Sequence, residues 1–428
     1  MNNLHVLYSH GQLPVDLPSG VTPIVVEKPH MPWLENPEEA IAASFQSPTG
    51  SPTLRTLAQA ASSACIVICD ITRPVPNGRI LPPLIRELLN AGIAADRICV
   101  LVATGLHHPN LGEELRELVG SDWVLETVRV ENHYALDDDA HTKIGVTSRG
   151  TPVSLDKRFL EADLKIVTGL IEPHFMAGYS GGRKVIAPGI AHADTIRTFH
   201  NTDFMEHPDA RNCHLPRNPL HNEQLEVVKM LGDVFAVNTC LDDQRRLAFV
   251  NFGHVLASHE EAVAFIKQYA EVKISHKVKC VITSNAGYPQ DKNFYQSAKG
   301  IVGALGILEK GGSLLIASEC SEGLGSEEFC EAQKILVERG IDGFLAEARS
   351  RPLANIDEWA TVKLIEGIRD YKVHLYSGLT PEQQRLTATT CHQDWAKAVE
   401  HVLQESQATE VAVIPEGHYA IPFVELVA

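Results

Sequence analysis

One feature constrains this chain more than any other. Short, dense apolar runs end in polar turns, and each is followed by a longer amphipathic segment. A run such as ACIVICD (Ala64 to Asp70) is short, rich in β-branched residues and apolar on both faces. That is the pattern of a buried strand in a parallel sheet, where helices cover the two sides. It recurs in RICVLVATG (Arg97 to Gly105) and ADLKIVTGLI (Ala162 to Ile171). Helical ILPPLIRELLNAG and NLGEELRELVG intervene, with Asn110 a candidate cap for the second. A further series begins near Val278 with VKCVITSN, continues through helical YQSAKGIVGALGIL to GGSLLIASEC, and adds a late strand around VHLYSG. The expected fold is α/β: two α/β domains with largely parallel sheets and an interdomain active-site cleft.

Two domains also follow from size, because 428 residues exceed what one hydrophobic core normally supports. We place the boundary after EEAVAFIKQYAE. Residues 1–272 form a first, catalytic domain, completed by 409–428, and residues 273–408 form the second. The formal net charge of −17 and the lack of a long basic run argue against nucleic acid or acidic membranes as partners. No apolar run approaches the ~18 residues that span a bilayer, and MNNLHVLYSH lacks the layout of a signal peptide. Nine scattered cysteines contain no C-x-x-C pair, which suits reduced thiols. The expectation is a cytoplasmic protein.

In an open parallel sheet, ligands bind beyond the carboxyl ends of the strands. Four such ends carry unusual side chains. DITRPVPN offers Asp70, Thr72 and Arg73; ATGLHH offers His107 and His108; IEPHFMAGYSGGRKVIAPG offers His174 and Lys184; and NFYQSAK offers Tyr295, Gln296 and Lys299. Each has a plain reading. Arg73 could pair with Asp70 to hold a turn, a single histidine is more often a cap than a catalyst, and glycine clusters usually mark turns. Their coincidence at corresponding positions of the fold is what points to one crevice. AGYSGGRK fails the P-loop template, since Arg183 stands where the second glycine belongs and Val185 follows Lys184. No G-x-G-x-x-G follows the first strand, and nothing matches H-E-x-x-H. His200 closes IAHADTIRTFH, near Lys184 in sequence.

Taken in order, DITRPVPN, ATGLHH, GLIEPHFMAGYSGGRKVIAPGIA, TFHN and GYPQDKNFYQSAKG resemble the nickel-dependent lactate racemase family. The resemblance covers essentially the whole chain. It implies a racemase or epimerase of 2-hydroxy acids that uses a nickel-pincer nucleotide, a pyridinium mononucleotide with two sulfur arms, supplied by cofactor maturation enzymes. It implies that Lys184 tethers the nucleotide covalently, that His200 is the protein ligand to Ni(II), and that His107 and His174 are the paired acid and base. Arg73 and Lys299 would hold the substrate carboxylate. Asp70, Thr72, Tyr295 and Gln296 would hydrogen-bond cofactor or substrate, Gly181 and Gly182 would let backbone approach the nucleotide, and Trp359 would stack on its ring. His108 stands where many lactate racemases carry an arginine. Together with Arg183 and Arg197 it could meet a second carboxylate, so malate is a candidate substrate beside lactate. Two other readings stand beside this one: a zinc hydrolase using His107, His174 and His200 as ligands, and a non-catalytic cofactor carrier.

Overall fold

A computed structural model describes residues 4–425. The chain divides into two compact units, each with its own six-stranded sheet. One unit comprises His30–Phe199 and Leu215–Gln268; the other comprises the first 29 residues, His200–His214 and Tyr269–Ala428. The division expected from sequence placed the opening residues and the final segment with the first domain. Instead, the Thr22–Val25 and Glu410–Ile414 strands pair with one another inside the second unit's sheet. Backbone pairing partners are set by sheet order, which sequence position alone does not encode.

In the first unit the strand order is Leu247–His254, Phe235–Leu241, Leu164–Leu170, Ala64–Cys69, Ile98–Ala103 and Arg129–Asn132. Only the Leu247–His254 edge is antiparallel. The chain starts at Ala64–Cys69, winds outward through Ile98–Ala103, then returns to the other side at Leu164–Leu170. A topological switch point therefore lies between the Ala64–Cys69 and Leu164–Leu170 strands, and the loops leaving their carboxyl ends diverge around a crevice. Both strands are apolar because both faces are covered. Ile66, Ile68, Val100, Val102 and Ile166 join one core with the Asn77–Asn90 helix, and each such burial contributes roughly 1.5–3 kcal/mol. The opposite face carries the short Gly182–Ile186 helix.

The second unit has an all-parallel sheet ordered Thr390–His392, Lys372–Tyr376, Leu308–Ala317, Val278–Ser284, Glu410–Ile414 and Thr22–Val25. The Trp395–Ser406 helix covers one face, with Ala398, Val399 and Val402 in a core shared with Val6 and Val15 of the amino-terminal segment. Trp395 Nε1–H also donates to the Pro14 carbonyl at 2.6 Å. Among the described residues no helix is long and apolar enough to cross a membrane.

Candidate active site

The Ala64–Cys69 strand delivers Asp70 to the switch point with its carboxylate buried. Its Oδ1 accepts from Thr72 Oγ1–H at 2.6 Å, and its Oδ2 lies 2.6 Å from His107 Nδ1. Burial works to raise the carboxyl pKa, but the hydrogen bonds and charges of His107, Thr72 and Arg73 win and hold it below the ordinary range. A carboxylate behind Nδ1 fixes the proton there, so the His107 Nε2 carries a lone pair. His107 is half exposed while Asp70 is almost fully buried, which points the ring edge to solvent or ligand and keeps its partner dry. Asp70, expected to hydrogen-bond cofactor or substrate, instead holds His107, and Thr72, given the same expectation, holds Asp70.

Arg73 acts on Asp70 through its charge and makes its close ion pair with Glu172. Its Nη1–H donates to Glu172 Oε1 at 2.6 Å, joining the loops that leave the two strands at the switch point. Glu172 was not singled out in the sequence, although it follows its apolar run just as Asp70 follows ACIVIC. Asn110 does not cap the helix that begins at Gly112, whose cap residue is Leu111. Its side chain instead accepts from the Ile71 amide at 3.2 Å and donates to Glu114 at 2.9 Å, tying the first two loops together. His108 is largely exposed, with Nε2 3.4 Å from Glu114 Oε1, and it has no share in the Asp70 pair.

His174 lies on a two-residue strand, Pro173–His174, paired with Gly178–Tyr179. Its Nδ1 accepts from the Met176 and Ala177 amides at 3.3 and 3.2 Å, so the ring proton resides on Nε2. The residue is 8 % exposed.

Lys184 sits in the Gly182–Ile186 helix, which presses on the Leu164–Leu170 strand. That approach needs glycine, because a Cβ at Gly169 would lie 2.5 Å from the Gly182 nitrogen, and Gly181 has φ +117°. The Gly182 N–H donates to Asn238 Oδ1 at 3.2 Å. The glycines expected to approach a nucleotide therefore act here in packing. Although Lys184 as a residue is only partly buried, its amine is dehydrated. Burial first, then the Arg73 and Arg183 cations, lower its pKa to about 7 against the opposing charge of Glu172.

Arg183, considered in the sequence as a contact for a second substrate carboxylate, is fully buried. Its guanidinium donates to the Tyr179 carbonyl at 3.1 Å, the Ser180 carbonyl at 3.3 Å, His221 Nδ1 at 2.8 Å and His259 Nε2. It is a strut for the glycine loop, and burial alone brings its pKa down to about 9. That removes it from any ligand-binding role.

The second unit holds the remaining candidates. His200 is 7 % exposed, and its ring centroid lies 5.1 Å from that of Trp359 on the Glu358–Asp370 helix. The Trp359 Nε1–H donates to Tyr295 Oη at 3.2 Å, so Tyr295 positions the indole. On the Phe294–Ala304 helix, Tyr295 and Gln296 lie four and three residues before Lys299 and share its face. Gln296 Oε1 is buried without a hydrogen-bond partner among the described residues. An orphaned acceptor of this kind suits a group that arrives with its own donor.

These features fit the implied nucleotide. A dehydrated lysine amine whose pKa is lowered to about 7 offers its neutral, acylatable form near neutral pH, and a buried imidazole can complete a soft nickel site. Within the first unit, among the described residues, no group of three His, Cys, Asp or Glu ligand atoms within 4.8 Å includes His107 or His174.

Comparison with known proteins matches residues 8–212 to the model "Lactate racemase N-terminal domain" and residues 274–421 to "Lactate racemase C-terminal domain". A lactate racemase of Lactiplantibacillus plantarum is 32% identical over 389 residues, covering 89% of each chain. A lactate racemase of Thermoanaerobacterium thermosaccharolyticum is 33% identical over 331 residues, 77% of each. The solved structure of a lactate racemase apoprotein from the latter organism superposes with a TM-score of 0.89 at 29% identity, covering 98% of this chain and 99% of that one.

Proposed function

The chain belongs to the lactate racemase family, and from that premise we propose that it racemises a small 2-hydroxy acid, with Lys184 as tether and His200 as metal ligand for a nickel-pincer nucleotide. The observation that carries the reading is the 2.6 Å pair of Asp70 Oδ2 and His107 Nδ1 at the switch point, with the low-pKa Lys184 on the short Gly182–Ile186 helix packed against the adjacent strand.

Inverting a 2-hydroxy acid by removing the α-proton is unfavourable, because the adjacent carboxylate resists a second negative charge. When bound, the nucleotide supplies a centre that takes up and returns hydride, which avoids that carbanion. The chain's own residues then manage protons and position. His107 Nε2 accepts the hydroxyl proton, and the buried Asp70 carboxylate stabilises the imidazolium that results. His174 presents Nε2–H to the substrate oxygen from its own loop; to hold a second proton, its Nδ1 must leave the Met176 and Ala177 amides. Two histidines serve because the hydroxyl points to opposite sides in the two enantiomers. Arg73, oriented by Glu172, and Lys299 bind the substrate carboxylate. With Arg183 buried and His108 beside Glu114, two of the three basic groups considered for a second carboxylate are engaged elsewhere. A monocarboxylate such as lactate fits better than malate.

The test is chiral product analysis on protein coexpressed with the cofactor maturation enzymes, supplied with single enantiomers of lactate and malate in turn. Lactate should racemise at the higher kcat/KM. Conversion of neither acid by protein that carries a mass adduct on Lys184 would refute the assignment.

A further inference from the structure

Far along the second unit's sheet, at its Thr390–His392 edge, three imidazoles gather around one carboxylate that the proposed reaction does not use. His374 projects from the Lys372–Tyr376 strand and is 1% exposed. His392 ends the neighbouring edge strand, and His401 and Glu405 lie one turn apart on the Trp395–Ser406 helix, on one face of it. The His374 Nε2 is 2.9 Å from Glu405 Oε2, and its Nδ1 is 3.0 Å from His392 Nε2. The His401 ring centroid lies 5.4 Å from those of both His374 and His392. One ligand atom each from His374, His401 and Glu405 falls within 4.8 Å of the others.

We infer that this cluster is a binding site for a divalent transition ion of the zinc class, with His374, His401 and Glu405 as ligands and His392 as the group that orients His374. Two imidazoles and one carboxylate make a recognised zinc donor set, with a fourth position for water. Bonds of about 2.0–2.2 Å require the donors to close to roughly 3.5 Å of one another. His401 and Glu405 are both exposed on one helix face and can turn inward to do so. His374 is the fixed point. With the ion on Nε2, its Nδ1–H donates to His392 Nε2, and the two rings exchange tautomers without net release of a proton.

Glu405 is placed for ligation: its Oε2 accepts from Ser313 Oγ–H at 2.8 Å and lies 2.9 Å from His374 Nε2. The competing cation is Lys372, whose Nζ lies 3.5 Å from Glu405 Oε1; its side chain is half exposed and can swing away. An ion there would tie the edge strand, its neighbour and the covering helix together.

The experiment titrates cofactor-free protein with zinc chloride, measuring bound metal after desalting and the melting temperature. One zinc per chain, with a higher melting temperature, is expected. His401→Ala, at an exposed position, should melt like wild type without metal and bind zinc at least about tenfold more weakly. His200→Ala should leave this zinc in place, which separates the site from the proposed nickel ligand whatever the fate of the racemase reading. Failure of wild type to retain zinc, or zinc retention by His401→Ala equal to wild type, would overturn the inference.

Discussion

His107 and His174 leave the two strands that flank Ala64–Cys69 in the same sheet, yet different groups stand behind their rings. A buried carboxylate backs His107 at 2.6 Å, whereas two backbone amides back His174 at 3.2 and 3.3 Å. A carboxylate stabilises imidazolium, so His107 is built to gain a proton. Backbone N–H groups aimed at Nδ1 disfavour imidazolium, so His174 must shift off those amides before it can carry the proton it returns. The pair that the sequence presents as equivalent is asymmetric in its support. Because the two enantiomers of a substrate have equal free energy, kcat/KM must be the same in both directions. The asymmetry can appear only in kcat and KM separately.

The comparison breaks most completely if the common background is removed. Lys184→Ala, with both histidines intact, should carry no mass adduct and show no racemisation while melting like wild type. Residual turnover would mean the histidines work without the tether. Next in size is Asp70→Asn, which withdraws the carboxylate from His107 and leaves His174 untouched. It should lower kcat by about 10²-fold or more, toward the effect of deleting His107 itself. A matching loss on replacing Met176, whose amide remains, is not expected, and equal effects would erase the distinction between the loops. The same variant tests acid stability. The folded Asp70 pKa is depressed, so its contribution is present above the ordinary carboxylate pKa of about 3.9 and disappears as pH falls through the lower folded value. Wild type should therefore lose an acid-stability increment below about pH 4 that Asp70→Asn never had, as seen in unfolding curves across pH. The smallest effect concerns the bridge between the loops. In apoprotein, acetylation of Lys184 followed by peptide mass should rise through about pH 7. Glu172→Gln, which removes a charge that favours the ammonium, should move that midpoint downward.

Much of this was legible in the sequence. Continuous apolar runs separated by amphipathic segments require parallel strands with helices on both faces, and the polar residues after each run fall where such sheets bind ligands. The residues that cluster at the switch point were therefore found from their positions alone. Their partners were not. Asp70 and Arg73 look like neighbours that should pair, but one reaches 37 residues onward to His107 and the other 99 residues onward to Glu172. Asn110 looked like a cap and proved to be a tie between loops. Arg183 looked like a ligand contact and proved to be a buried strut, because only the fold places His221 and His259 against it.

By itself, then, the sequence determined the layer architecture, the carboxyl-end location of the candidate side chains and the family. Those properties depend on local periodicity and on short motifs that survive in one dimension. The tertiary structure alone decided which termini share a sheet, which histidine has a carboxylate behind it, and how far the Lys184 pKa falls. Each of these depends on strand order and on how much water is excluded, and both come into being only when distant segments pack.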